Sequence, residues 1–242
     1  MNKVVIITGS SGLLGRHFVE RLKKKYKIIS IDLGDNEFST EKNVIHLKGD
    51  ITKISVWNEV SNLILRNKAF ISGLINNAAI TNATRSGFKN HVDAFKDTLD
   101  VNVVSQYLSI EVLKEQMIEQ GFGRIINIGS LYSKIAPTPR LYEDSKVLQT
   151  PGYTVSKHAV IGLTRFYASQ LIKHKITVNA VSPGGIFDFQ DESFLAKYQE
   201  QNPSGRMGSP EDIFPIIEGL INESNNYLTG QNILVDGGWT SI

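Results

Sequence analysis

The sequence predicts an α/β fold in which helices cover both faces of a parallel sheet. Short apolar segments rich in β-branched residues alternate with longer segments of helical periodicity, an order typical of parallel strands joined by crossover helices. The apolar segments are nearly continuous, which is typical of strands that are buried on both faces. Since α/β folds of 242 residues often form one domain, we expect residues 1–242 to be a single domain.

Seven strands are expected in the apolar segments, at residues 3–9, 27–32, 43–50, 73–79, 123–130, 175–183 and 231–238. The periodicity between them predicts helices near residues 12–25, 53–68, 98–120, 152–173 and 209–223. Two further segments, 131–151 and 186–208, are rich in Pro, Gly and polar residues and are too long for plain connections. Both follow the carboxyl ends of strands, where open α/β sheets bind ligands, so we expect them to form the walls of a substrate site.

The composition argues against several classes of function. The 26 basic and 24 acidic residues leave a net charge of +2, too small to indicate a nucleic acid or a membrane surface as partner. There is no cysteine, which excludes disulfides and thiolate catalysis, and the five histidines show no metal-ligand spacing, so no metal site is expected. The sequence shows neither a signal peptide nor an apolar segment long enough to span a membrane, and we expect a cytoplasmic protein.

The segment TGSSGLLG, residues 8–15, lies between the first expected strand and the first helix. Gly9 allows a tight turn, Gly12 lets the backbone approach a pyrophosphate, and Gly15 lets the helix pack closely on the sheet. The amides at the start of the helix face the anion in such a site. For the glycines alone, an ordinary strand-to-helix turn remains the alternative.

An acidic residue at the end of the second strand favours a dinucleotide site. Asp32 follows Gly12 by 20 residues, at the distance where a carboxylate binds the ribose hydroxyls and repels a 2′-phosphate. Leu33 stands where an arginine would reverse that preference. The sequence therefore predicts binding of NAD in preference to NADP.

The pattern Tyr-x-x-x-Lys occurs twice, at Tyr142 with Lys146 and at Tyr153 with Lys157. On a helix, a lysine four residues after a tyrosine lies on the same face, where its ammonium lowers the pKa of the phenol. A lowering of roughly 2–3 units corresponds to about 3–4 kcal/mol. Only the second pair is followed by a long helical pattern, which Pro151 begins. Tyr153 is therefore the expected proton-transfer residue, and Tyr142 needs no function.

These features belong to a longer series of motifs, whose order and spacing resemble the short-chain dehydrogenase/reductase family over nearly the whole chain. The resemblance implies a Rossmann fold and hydride transfer between a nicotinamide cofactor and an alcohol or ketone. The matching segments are TGSSGLLG, Asp32, GDI at 49–51, NNAA at 76–79, Asn102 in LDVNVV, Ser130 in INIGS, YTVSK at 153–157, SPGG at 182–185, GRMGSPEDI at 205–213 and GQNILVDGGW at 230–239.

The resemblance also implies roles for particular residues. Tyr153 would be the general acid and base, and Lys157 would hold the nicotinamide ribose while lowering the pKa of Tyr153. Ser130 would bind the substrate oxygen, and Asn102 would hold a water that connects Lys157 to solvent. Cofactor contacts are implied for Gly9, Ser11, Gly12, Leu13, Leu14, Gly15, Asp32, Leu33, Asp50, Ile51, Asn77, Ala78, Ala79, Tyr153, Lys157, Pro183, Gly184 and Ile186.

Two features depart from the compact branch of the family. The glycines have the G-x-x-G-x-x-G spacing of the extended branch, which acts on nucleotide sugars, and Ser130 precedes Tyr153 by 23 residues, a longer spacing than in the compact branch. The C-terminal third nevertheless resembles the compact branch. This mixture and the segment SPGGIFDFQDESF resemble oxidoreductases encoded with bacterial flagellin-glycosylation and surface-sugar genes, which implies a sugar, sugar phosphate or nucleotide sugar as substrate.

The sequence also leaves other substrate contacts and other functions open. Lys134, Arg140 and Lys146 could meet an anionic substrate, although solvated loop side chains are the simpler interpretation. A sugar epimerase or dehydratase is an alternative function, but such dehydratases need an acid directly after the serine, where Leu131 and Tyr132 stand. A catalytically silent NAD-binding regulator is a second alternative function.

The family implies a homotetramer, with a dimer as second choice, built through the helices at 98–120 and 152–173 and the C-terminal strand.

Overall fold

The computed structural model describes residues 2–81, 91–145 and 150–242. Within these ranges one parallel sheet has the strand order β3-β2-β1-β4-β5-β6-β7, which confirms the predicted doubly wound fold. The order reverses between β1 and β4, the place where such sheets bind ligands outside the carboxyl ends of the strands. The strands are β1 (Lys3–Thr8), β2 (Lys27–Asp32), β3 (Val44–Lys48), β4 (Phe70–Asn76), β5 (Gly123–Ile128), β6 (Ile176–Pro183) and β7 (Asn232–Val235).

The helices lie on both faces of this sheet. Helices predicted near 53–68, 152–173 and 209–223 begin and end within two residues of their predicted limits. The helices of the described residues are α1 (Leu13–Leu22), α2 (Ile54–Arg66), α3 (His91–Leu99), α4 (Ser105–Gln120), α5 (Pro139–Tyr142), α6 (Pro151–Leu171), α7 (Glu192–Gln201) and α8 (Pro210–Ile221).

Alternate residues of each strand point to opposite faces, and two apolar clusters result. Val4 and Ile6 of β1 pack with α2, α4 and α6, whereas Val5 and Ile7 pack with α1 and α8. Trp57 of α2 is fully buried in the first cluster. Burial of each large apolar side chain stabilises the fold by about 1.5–3 kcal/mol. Because the strands carry such side chains on both faces, the fold is stabilised by helices that cover both faces of the sheet.

The structure differs from the prediction in several places. Helix α1 ends at Leu22 and β7 at Val235, each three residues before the predicted end, and α3 and α5 were not predicted. A π-helical turn, Asp100–Val104, precedes α4, so the helix predicted at 98–120 is a turn and a helix of different geometry. The segment 186–208 was predicted without a helix but contains α7, which Asp191 caps by accepting a hydrogen bond from the Phe194 amide at 2.9 Å. Strand β4 begins at Phe70, three residues before its predicted start. No helix of the described residues is both long and apolar enough to cross a bilayer.

Candidate active site

A cavity of about 780 Å³ opens at the carboxyl ends of the strands, a size within the usual range for small-molecule sites. The glycine-rich loop and the ends of β2, β4, β5 and β6 form one part of its wall, and residues of the two long segments form the other. It brings together all but two of the predicted site residues. Those two are Gly15 and Asn102, which do not line the cavity.

The glycines of residues 8–15 serve different purposes. Gly9 adopts a φ of +64°, and a Cβ there would lie 2.7 Å from the Ala78 Cα. A Cβ on Gly15 would lie 2.0 Å from the Gly9 carbonyl oxygen, so Gly15 permits the close packing of α1 against the loop. At Gly12 a Cβ would meet only the same oxygen, at 3.4 Å. Protein packing therefore requires glycine at positions 9 and 15, whereas Gly12 borders the cavity.

The start of α1 has the features of an anion site. Gly12 is its N-cap and supplies no side-chain hydrogen bond, so amides of the first turn are available to a ligand. The Ser11 hydroxyl is buried, has no hydrogen-bond partner in the structure and belongs to a residue of the cavity wall. A buried hydroxyl without a partner is costly, and a diphosphate oxygen would satisfy it. These residues fit the pyrophosphate of a dinucleotide.

Asp32 lies beside this site at the end of β2. Its carboxylate accepts hydrogen bonds from the Ser11 and Leu33 amides, both at 2.8 Å. A carboxylate can accept about four hydrogen bonds, so capacity remains for ribose hydroxyls. The Asp50 carboxylate, in contrast, accepts from the Thr52 amide and hydroxyl, which shapes the turn that carries Asp50 and Ile51 along the cavity.

Asn77 holds the glycine-rich loop in place. Its side-chain amide donates to the carbonyl oxygens of Thr8 and Gly9, each at 3.0 Å. The Thr8 hydroxyl in turn accepts from the amides of Asn77 and Ala78, also at 3.0 Å. Asn77 thus lies on the cavity wall, where a cofactor contact was expected. Its side-chain amide is used to connect the end of β1 to the end of β4.

The Tyr153–Lys157 pair lies on α6, as the predicted helix requires. Helix α6 begins at Pro151, and the Lys157 Nζ lies 5.4 Å from the centre of the Tyr153 ring. Lys157 is 1% exposed and donates to the Ile128 carbonyl oxygen at 2.9 Å. Burial lowers the pKa of Lys157 to about 8. Both side chains line the cavity.

The pKa of Tyr153 moves in the direction opposite to the one expected from a neighbouring ammonium. Burial raises the pKa of the phenol, and an interaction with the Ser130 side chain opposes that rise in part. The cause is that removal from water disfavours the phenolate form of Tyr153. The same burial disfavours the protonated, charged form of Lys157. In this structure Tyr153 is therefore a protonated phenol at neutral pH, the form that donates a proton.

Ser130 and Asn102 are placed by local backbone features. Ser130 follows β5, and its hydroxyl accepts from the Tyr132 amide at 3.2 Å. Asn102 is fully buried in the π-helical turn, where its side chain bonds both the amide and the carbonyl of Ile80. It also donates to the Ser156 hydroxyl at 3.0 Å. Ser156, which the sequence reasoning missed, donates onward to the Tyr153 carbonyl at 2.7 Å, so this chain of bonds holds the start of α6.

An aromatic cluster forms the far wall of the cavity. Its cavity-lining members from the two long segments include four aromatic residues and a methionine: Tyr132, Tyr142, Phe194, Tyr198 and Met207. The hydroxyls of Tyr132 and Tyr142 are hydrogen-bonded to each other, and burial raises the pKa of Tyr132. The sequence indicated the segments but not this cluster, although Phe194 and Tyr198 have the i, i+4 spacing of one helix face.

The two segments are tied to each other at their outer edge. The Ser145 hydroxyl donates to the Asp191 carboxylate at 2.9 Å, and Lys197 lies 3.8 Å from Asp144. Lys134 and Arg140, considered as anion contacts, are exposed and do not line the cavity. Lys146, the partner of Tyr142 in the repeated pattern, lies outside the described residues.

Comparison with known proteins places the chain among oxidoreductases. A family model described as enoyl-(acyl carrier protein) reductase matches residues 25–240. The 3-oxoacyl-[acyl-carrier-protein] reductase FabG of Aquifex aeolicus is 31% identical, over 97% of this chain and 86% of the relative. The 2-dehydro-3-deoxy-D-gluconate 5-dehydrogenase of Dickeya dadantii is 28% identical, over 98% and 95%. Post-translational flagellin modification protein A of Campylobacter coli is 25% identical, over 98% of each chain.

Solved structures resemble the whole chain. A short chain dehydrogenase from Leptospira borgpetersenii with bound NAD+ has a TM-score of 0.88 and 30% identity, covering 99% of this chain and 93% of that one. ElxO with NADP bound has a TM-score of 0.83 and 26% identity, covering 100% of both chains.

Proposed function

Since the chain belongs to the short-chain dehydrogenase/reductase family and is therefore a nicotinamide-nucleotide oxidoreductase acting on an alcohol group, we propose that it is an NAD(H)-dependent enzyme for a sugar or sugar derivative. It would interconvert a secondary alcohol and a ketone in the synthesis of a bacterial surface glycan. The cytoplasm is the proposed location of this reaction. The observation that carries the alcohol–ketone chemistry of this proposal is the Tyr153–Lys157 pair on one helix face, with Ser130 on the same cavity wall.

We propose that Tyr153 transfers the proton of the reaction. In ketone reduction its neutral phenol donates to the substrate oxygen, and in alcohol oxidation its phenolate accepts the hydroxyl proton. Ser130 donates a hydrogen bond to the same oxygen, which stabilises the negative charge that develops there. A bound nicotinamide cofactor supplies or accepts the hydride.

Lys157 and Asn102 have supporting roles in this proposal. One ammonium hydrogen of Lys157 is used by the Ile128 carbonyl, and two remain for ribose hydroxyls and a water. The side chain of Asn102 is already bonded to Ile80 and Ser156. We therefore assign the positioning of α6 to the Asn102 side chain, in addition to the water-holding role that the family implies.

The preference for NAD rests on Asp32 and Leu33. The Asp32 carboxylate is held by two amides beside the glycine-rich loop and would repel a 2′-phosphate. Leu33 is 55% exposed and offers no positive charge in return. Structures similar to this chain hold either NAD+ or NADP, so the preference is inferred from these two residues.

A sugar substrate is supported by the cavity wall and by the relatives. Aromatic rings pack against the apolar faces of sugar rings, and the hydroxyls of Tyr132 and Tyr142 offer hydrogen bonds to ring hydroxyls. Two relatives carry names that point to sugar acids and to flagellin modification. The surface-glycan role is proposed from the second of these and from the SPGGIFDFQ segment.

We also propose a homotetramer, with a dimer as second choice. Helices α4 and α6 expose large apolar side chains, among them Val104 at the end of the π-helical turn, Tyr107, Val155 and Phe166. Phe166 is 59% exposed. Large apolar side chains exposed on these two helices support an interface between protein chains, since such surfaces often mark sites of association.

The test is NADH formation or consumption across a panel of free sugars, sugar phosphates, nucleotide sugars and their keto forms, with a 3-oxoacyl thioester as comparison. We expect turnover with one sugar class and none with Tyr153→Phe. Turnover of the thioester alone would overturn the sugar assignment. Failure of every substrate, with NADH still bound, would favour a silent regulator.

A further inference from the structure

A network of hydrogen bonds connects His46 of β3 to the segment that follows Asp32. The His46 Nε2 lies 2.9 Å from the Gly34 carbonyl oxygen. Its Nδ1 lies 3.0 Å from the Asn36 side-chain nitrogen and 3.0 Å from the Ser30 hydroxyl. The Asn36 nitrogen also lies 3.2 Å from the hydroxyl of Ser10, a buried residue of the glycine-rich loop.

The contacts of His46 determine which nitrogen carries its proton. A carbonyl oxygen only accepts, so Nε2 must carry a hydrogen and donate it to Gly34. In the neutral ring Nδ1 is then an acceptor with one lone pair, which suits one hydrogen of the Asn36 amide or the hydroxyl of Ser30. The second hydrogen of the Asn36 amide is available to the Ser10 hydroxyl. Ser30 and His46 are also paired residues of neighbouring strands β2 and β3. Each of these polar groups thus has a partner of the complementary kind.

The network determines where residues 33–36 lie relative to the cavity. This segment begins directly after Asp32 and is held at two further points, the carbonyl of Gly34 and the side chain of Asn36. Asn36 in turn reaches Ser10, next to Ser11, whose amide holds the Asp32 carboxylate. Through Asn36, the imidazole of His46 therefore connects residues 33–36 to the glycine-rich loop, the two segments next to the Asp32 carboxylate. His46 does not line the cavity itself.

We propose that His46 is a positioning residue for the cofactor, and that with Asn36 it contributes to the choice between NAD and NADP. By holding residues 33–36 against the glycine-rich loop, it fixes the Asp32 carboxylate at the ribose hydroxyls. The carboxylate held there repels a 2′-phosphate, and the network opposes displacement of the segment that follows it. The inference rests on the proposed preference for NAD at the same site.

The experiment compares the dissociation constants of NADH and NADPH for the wild type, His46→Phe and Asn36→Ala. Phenylalanine keeps a planar aromatic ring, somewhat larger than imidazole, and removes both nitrogen contacts, and Asn36→Ala tests the network from a loop residue. The matched control is His174→Phe, at the end of a short helix before β6, away from the cavity. Thermal unfolding of each variant reports whether the fold is intact.

We expect His46→Phe to raise the dissociation constant of NADH about three- to tenfold, as one or two lost hydrogen bonds imply. The constant for NADPH should change by less than about twofold, so discrimination falls. Asn36→Ala should do the same, and the double variant should add little, because the residues act as one unit. The control should bind both nucleotides as the wild type does.

Two outcomes would count against the proposal and are separable. If the wild type prefers NADH and both variants keep its ratio of dissociation constants, the role of His46 is overturned while the NAD assignment stands. If the wild type prefers NADPH, the NAD assignment itself is wrong, and the inference built on it is wrong as well.

Discussion

Lys157 should make the protein less stable below pH 8 than above it. Its ammonium is 1% exposed, and burial lowers its pKa from 10.5 to about 8. Between these values the unfolded chain binds a proton that the folded protein does not, so the free energy of unfolding rises with pH. This difference in the pKa of Lys157 between the unfolded and folded states corresponds to about 3 kcal/mol of unfolding free energy in total. About 1.4 kcal/mol of that change falls between pH 7 and pH 9.

The measurement is urea unfolding of the wild type and Lys157→Met at several pH values between 7 and 9. Titration of other groups affects both proteins, so the difference between their free energies of unfolding isolates Lys157. We expect wild type to gain stability relative to Lys157→Met as the pH rises. Lys173→Met, at an exposed lysine beyond α6, is the matched control for the removal of a lysine side chain. A difference that is constant or falls with pH would refute the assignment of a buried, destabilising ammonium.

Three further predictions concern the active site and the assembly. Tyr153→Phe should lower turnover at least about a hundredfold while NADH still binds. Tyr142→Phe should retain the chemical step and at most alter the KM for substrate. An inactive Tyr142→Phe with an active Tyr153→Phe would contradict the assignment of proton transfer to Tyr153. Asp32→Ala should weaken NADH binding and narrow its advantage over NADPH, measured by titration of both nucleotides, and an unchanged ratio would show that the carboxylate does not set the preference. Phe166→Glu should reduce the molar mass found by light scattering, and a monomeric wild type at micromolar concentration would contradict the proposed oligomer.

The parts of the fold that were predicted correctly have strong local signals. The strands β1, β2 and β6 are largely apolar segments, and their residues are buried except at the first residue of β1 and the two ends of β2. The start of α6 is marked by Pro151, whose fixed φ and missing amide hydrogen suit the first turn of a helix. Local chemistry was sufficient at these positions.

Other features depend on contacts that a single segment does not reveal. Helix α7 is short and solvent-exposed on most of its surface, so only Phe194 and Tyr198 indicate its buried face. The π-helical turn that holds Asn102 has a sequence, DVNVV, that is compatible with a regular helix. The raised pKa of Tyr153 follows from burial by other elements, whereas the spacing to Lys157 predicted the opposite direction.

The long separation of Ser130 from Tyr153 has a consequence for how the enzyme diversifies. Ser130 follows the end of β5, where the Tyr132 amide holds its hydroxyl, and Tyr153 lies at the start of α6. Most of the residues between them therefore contact neither of the two proposed catalytic side chains. Doubling the length of a flexible loop costs only about 0.6 kcal/mol in closure entropy. This segment, together with the α7 region that it contacts, can therefore differ in length at a small cost in stability. We expect its exchange to change which substrate is bound and to leave the proposed Tyr153–Lys157 pair on α6 in place.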